Sequence, residues 1–247
     1  MTASILALFA GAVVGLALGG LGGGGSVLAV PALIYLLGST PAQATTASLV
    51  IVTLTSVTAL VGHARDGNVA WRTGLLFAAA GIVPAMLAGA AAGHLPQTAL
   101  TIAFAAIAAV AAVRMLRPSP AKSAGPVRPG KAGAAGAGLG AVTGFLGVGG
   151  GFLAVPALVG VLSLPMRRAV GTSLLVITVN SLAALGARAG TGTPLDWAVI
   201  APFTAAAVLG AWDGKRLSHK LKGRTLQRLF AYVLLAVAAF MLIDALV

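Results

Sequence analysis

Apolar positions in this chain neither alternate nor keep to one helical stripe; they run on without a break. Residues 45–62, 73–93, 97–113, 169–187, 197–212 and 229–247 hold one charged residue between them, Asp244. A membrane-crossing helix needs about 20 apolar residues, so each segment predicts a span. Four shorter apolar segments, 3–20, 26–38, 132–146 and 151–164, flank two glycine runs. The pattern therefore predicts ten hydrophobic segments, S1 to S10 in chain order. The expected fold is an all-α polytopic membrane protein, in which short helices interrupted by Gly and Pro accompany the full spans.

The segments repeat. Leu21-Gly22-Gly23-Gly24-Gly25-Ser26-Val27-Leu28-Ala29-Val30-Pro31-Ala32-Leu33 returns 125 residues later as Leu146-Gly147-Val148-Gly149-Gly150-Gly151-Phe152-Leu153-Ala154-Val155-Pro156-Ala157-Leu158, with ten of thirteen positions identical. The match continues at the same offset: Ala44, Ser48, Leu49, Thr53, Ser56, Ala59 and Leu60 correspond to Ala169, Ser173, Leu174, Thr178, Ser181, Ala184 and Leu185. A fixed offset over half the chain indicates duplication. The organisation read from it is a first transmembrane repeat over 1–116, a linker over 117–131 and a second repeat over 132–247. The linker is rich in Pro and Gly and basic, which predicts a flexible connection.

Charge sets the topology. Only 8% of residues are charged and 59% are hydrophobic, against roughly 25% charged in a soluble domain. The net charge of +12 belongs to basic loops rather than to a nucleic-acid surface, because no basic stretch is interleaved with aromatic residues. If each half crosses an odd number of times, fifteen of the sixteen Lys and Arg share one side, and only Arg188 lies opposite. If each half crosses four times, they split eight and eight. The positive-inside rule selects the first arrangement. The repeats are then inverted, both termini lie outside the cytoplasm, and S1–S2 is either a helical hairpin or a re-entrant pair. His63, at the cytoplasmic end of S3, reads as a boundary residue. Asp213 reads as a local ion-pair partner beside Lys215 and Arg216.

Four glycines in a row (Gly22–Gly25), or four among five residues (Gly147–Gly151), do not make a stable helix, at about 1 kcal/mol each relative to Ala. Unwound backbone inside a bilayer survives only where protein buries it or it lines a wet cavity. Each run leads into a short apolar helix whose first N–H groups lack intrahelical partners and carry partial positive charge. Two such starts related by inversion would make an anion cradle needing no buried cationic side chain. Paired interruptions in two halves also point to a transporter's binding site. The candidate substrate-binding residues are Gly22, Gly23, Gly24, Gly25, Ser26, Gly147, Gly149, Gly150 and Gly151. Hydroxyls and an amide on S3 and S8 add Ser48, Thr172, Ser173 and Asn180. Ser48, Thr55 and Ser56 share one helical face, as do Ser173, Asn180 and Ser181. Interhelical hydrogen bonding is the structural alternative for this second set.

At Gly22–Pro31, Gly147–Pro156 and Ala169-Val170-Gly171-Thr172-Ser173-Leu174 the chain resembles the sulfite exporter TauE/SafE family. The resemblance covers essentially the whole chain. The first half departs from the last motif, with Ala44-Thr45-Thr46-Ala47-Ser48-Leu49. The resemblance implies a bacterial inner-membrane carrier of sulfite or an organosulfur anion. No Cys or Glu occurs, and the four Asp and three His are scattered, so no catalytic set, metal site or cofactor is expected. The expected partners are a small anionic substrate and the lipid bilayer, with a coupling ion (H+ or Na+) and a homodimer left open, and no nucleic acid. An anion channel and a non-transport membrane assembly protein are the alternative readings.

Overall fold

The computed structural model describes residues 2–92, 96–117, 128–145, 151–188 and 195–246. Every regular element among them is helical, and the ten apolar segments become ten α-helices: α1 (Thr2–Leu21), α2 (Gly24–Pro31), α3 (Pro41–Arg65), α4 (Trp71–Ala92), α5 (Gln97–Leu116), α6 (Pro129–Phe145), α7 (Gly151–Gly160), α8 (Met166–Arg188), α9 (Trp197–Lys220) and α10 (Gly223–Leu246). A single π-helical turn, Ala32–Leu36, continues α2. The linker ends earlier than its composition suggested: Pro129 to Lys131 form the first turn of α6, because a proline fits the first helical position, where its missing N–H is not needed.

Six helices, α3, α4, α5, α8, α9 and α10, are long and apolar enough to cross a membrane. Helix α7 has 10 residues, about 15 Å at the α-helical rise, or half of a hydrocarbon core. The second helix of each broken pair is thus short, while α1 with 20 residues and α6 with 17 are much longer. Three of these six candidate spans lie in each repeat.

The repeats exchange helices. Helix α1 of the first repeat packs along α9 of the second, and α6 of the second packs along α4 of the first. Helices α3 and α8 cross at the centre, and α5 pairs with α10. Each of these pairings maps onto itself or its counterpart when the repeats are swapped. The closest seams are made of glycine. A Cβ on Gly11, Gly15 or Gly19 would fall on the carbonyl of Phe203, Ala207 or Ala211, and one on Gly136, Gly140 or Gly144 on that of Phe77, Gly81 or Ala85. The two triplets stand at the same 125-residue offset as the glycine runs. Small residues every fourth position let membrane helices approach backbone to backbone. Both seams run parallel, since contacts advance by four residues on each helix.

Contacts gather the basic loops at one end of the molecule. Lys215 Nζ lies 2.7 Å from Asp66 Oδ2, and His219 Nε2 lies 2.9 Å from the same oxygen. The hydrogen bond from Lys215 holds the Asp66 carboxyl below its ordinary range. Arg167 donates to the His219 and Leu221 carbonyls, and Gln227 Nε2 donates to Met115 O at 2.6 Å. The ends of α3, α5 and α9 and the starts of α8 and α10 are thereby tied together. At the opposite end Arg188 Nη1 donates to Thr46 Oγ1 at 3.2 Å. Asp213 pairs with Arg216 at 3.6 Å on the exposed face of α9, the local pair the sequence suggested, while Lys215 turns instead to Asp66.

Candidate functional site

The two glycine breaks meet inside the bundle. Gly22 is buried with φ +74, a left-handed conformation that glycine takes without strain. It ends α1 and turns the chain into α2. A Cβ at Gly22 would lie 2.5 Å from Ser173 Oγ and 3.3 Å from both Val155 Cγ2 and the Val170 carbonyl oxygen. Gly23, the residue that caps α2, rests directly on the Gly151 carbonyl and on Phe152. Gly151 is the first residue of α7 and is buried. The starts of α2 and α7 are thus brought together, with Ser173 of α8 beside them.

The remaining candidates sort by what they touch. Gly24 is the first residue of α2. Gly25 is buried against Leu18 and Val14 of α1, so it closes the α1–α2 hairpin. Gly147, Gly149 and Gly150, and the side chain of Ser26, lie outside the described residues. Ser48 and Ser173 are both buried and make the same bond, Oγ to the carbonyl three residues earlier, each at 2.8 Å. Ser173 is drawn into the centre by its contact with Gly22. Thr172, fully buried, accepts the Ala70 N–H at 3.0 Å. Its hydroxyl is engaged in fixing the start of α4.

Asn180 stands two helical turns beyond Ser173 on the same face of α8, about 10 Å along the axis. Its Oδ1 is buried and has no hydrogen-bond partner among the described residues. A buried amide oxygen without a donor costs free energy, so this atom is available to a ligand-borne or water-borne proton. Between Ser173 and Asn180, Thr178 Oγ1 lies 3.0 Å from Ser56 Oγ and joins α8 to α3. That contact supports the interhelical reading for part of the polar set.

His63, in the last turn of α3, is 2% exposed, because α9 continues past the apolar segment and covers it. Its Nε2 faces the Gly19 carbonyl at 3.0 Å, so that nitrogen donates. The ring stacks on His219 at 6.3 Å. The glycine triplets are what sequence reading passed over, and the burial of His63 is what it did not foresee. The spacing of four glycines apart is a legible signal; the burial of His63 is not, since it depends on where α9 ends.

A family model described as Sulfite exporter TauE/SafE matches residues 7–241. The chain belongs to the sulfite exporter TauE/SafE family. Two relatives from Xylella fastidiosa, each named "Probable membrane transporter protein", agree with that membership. The one from strain 9a5c is 33% identical over 96% of this chain and 94% of its own length. The one from strain Temecula1 / ATCC 700964 is 32% identical over the same shares. In this TauE/SafE member the described residues contain no cluster of three or more His, Cys, Asp or Glu able to hold a metal. The chain is a multi-pass membrane transporter by family, and the candidate residues gathered at its centre offer backbone, hydroxyl and amide groups.

Proposed function

We propose that the protein carries a small anion, sulfite or an organosulfur anion, across the bacterial inner membrane by alternating access. The anion is held by the N–H groups at the starts of α2 and α7. The observation that carries this reading is the meeting of Gly22 and Gly23 with Gly151 and Ser173 inside the bundle. Helix α2 has no side-chain cap, so no side chain at its N-cap competes with a ligand for its first N–H groups. Helix dipoles at both starts favour negative charge. Ser173 and Asn180 supply an additional hydroxyl and amide on one face of α8.

In this conformation Gly23 rests on Gly151, so the cradle opens to an anion when the two tips separate. The end that collects the basic loops is taken as cytoplasmic by the positive-inside rule, which places both termini outside. Arg188 then sits at the opposite mouth. A proton or a sodium ion drives the cycle in this reading.

The test is uptake of labelled sulfite, sulfate, thiosulfate and a small sulfonate into proteoliposomes, with and without imposed pH and sodium gradients. Saturable uptake of one of these anions, accelerated by one gradient, is expected. Ser173→Ala removes one hydrogen bond to a charged ligand, so KM is expected to rise roughly tenfold. Gly24→Leu is expected to abolish uptake in normally inserted protein. Unchanged KM in the first variant and full uptake in the second would refute the cradle. Absence of flux for every anion would refute the transport assignment of the substrate class.

A further inference from the structure

The two repeats differ on one flank of the bundle, and the difference leaves a groove. A cavity of about 910 Å³ opens between α5, α6 and α7, floored by apolar side chains such as Ile107, Val110, Leu139 and Leu153. Arg114 and Arg117 line it at the end of α5, and Gln227 lines it from the start of α10. Neither guanidinium has an ion-pair or hydrogen-bond partner among the described residues. The symmetry-related position, between α10, α1 and the turn after α2, carries an aromatic pair instead. There Tyr35 packs edge-on to Phe240 with ring centroids 5.4 Å apart.

The substitutions responsible are visible at the 125-residue offset. Gly160 stands where the first repeat has Tyr35, and Met115 where the second has Phe240. Arg114 and Arg117 correspond to Ala239 and Leu242. One copy therefore carries an aromatic pair and lacks both arginines; the other is open, apolar along its length and cationic at one end. The cationic end is the end where the basic loops gather.

We infer that this groove is a binding site for an anionic phospholipid, with an acyl chain against α5, α6 and α7 and the phosphate at Arg114 and Arg117. Apolar walls suit the chain, and guanidinium groups pair with phosphate oxygens bidentately. Basic pockets between membrane helices at the cytoplasmic leaflet bind anionic head groups in this way. A substrate anion alone does not account for the long apolar floor, and a second protein copy does not account for two unpaired arginines. The lipid bridges the end of α5 to α6 and α7, so its occupancy also steadies the broken hairpin of the second repeat.

The experiment is native mass spectrometry of the full-length protein in detergent, titrated with equal amounts of phosphatidylglycerol and phosphatidylcholine. Wild type is expected to retain phosphatidylglycerol over phosphatidylcholine by roughly tenfold or more, from two arginine contacts. Arg114→Ala with Arg117→Ala is expected to remove the preference while leaving apolar binding of both lipids. Gly160→Tyr, which places in the groove the ring that the first repeat carries at Tyr35, is expected to remove both; a Cβ there meets nothing within 4 Å. Gly138→Leu, at a second open position on the groove wall, serves the same purpose if Gly160→Tyr does not insert. An unchanged lipid preference in the arginine pair variant would overturn the inference. So would a wild-type dimer that loses its partner, rather than lipid, on filling the groove.

Discussion

Ser163 carries the repeat down to a single backbone torsion. Its φ is 56, the one positive value at a non-glycine among the described residues, and Gly38, 125 positions earlier, has φ 66. Both close the end of a short helix with the same bond: Ser39 N to Leu33 O and Leu164 N to Leu158 O, each 3.0 Å. The left-handed region costs an L-residue roughly 1–2 kcal/mol, while glycine's larger unfolded entropy takes back about 0.5–1 kcal/mol. Ser163→Gly is therefore expected to stabilise by up to about 1 kcal/mol, and Gly38→Ser to destabilise by a similar amount. Thermal unfolding in detergent, followed by tryptophan fluorescence, should show a shift of about a few degrees in opposite directions. No shift, or the same sign for both, would mean the torsion carries no strain. Residue roles of this kind were only partly legible in the sequence. Thr172 and Ser173 are neighbouring hydroxyls in one apolar run, yet Thr172 is engaged by a backbone N–H 102 residues away and Ser173 sits against Gly22. What separates them is direction around α8, and that direction is fixed by tertiary packing.

At the scale of elements, the ten segments were readable because apolar length is a local property and the bilayer imposes it. The π-helical turn after α2 and the early start of α6 were not, since both follow from packing and capping at one residue. Which helix packs on which was hidden as well, although its chemical cause was in view. Gly11, Gly15 and Gly19, like Gly136, Gly140 and Gly144, are spaced to make a smooth stripe. A stripe names a close approach without naming the partner. The close approach makes a sharp prediction. Gly15→Ala and Gly140→Ala each force a methyl into a facing backbone, at a cost of about 1–3 kcal/mol. Gly186→Ala, where a Cβ meets nothing within 4 Å, is expected to be neutral or to stabilise by up to about 1 kcal/mol through helix propensity. Unfolding temperatures of the three proteins check this. Equal effects at all three positions would show that the seams are not in backbone contact.

For the whole molecule, the sequence halves and the packed bodies are not the same objects. Helices α1, α2, α3 and α9 form one packed group and α4, α6, α7 and α8 another, so each takes one helix from the other repeat. The glycine seams lock the exchanged helices, and the two groups meet where α3 crosses α8 and where Gly23 rests on Gly151. Alternating access in the proposed transport cycle would then move one mixed group against the other, and the α3–α8 crossing must slide or open. Ser56 Oγ and Thr178 Oγ1 are 3.0 Å apart at that crossing, and the chain has no cysteine of its own. A disulfide between Ser56→Cys and Thr178→Cys therefore reports on this one contact, given the short Cβ separation a bridge requires. Oxidation of the double variant in proteoliposomes is expected to arrest uptake nearly completely, and reductant is expected to restore the rate of the unoxidised protein. Each single variant should be indifferent to both treatments. If the cross-linked protein transports at the reduced rate, the two groups do not move apart at their centre, and the anion passes by a route that leaves α3 and α8 fixed, as it would in a channel.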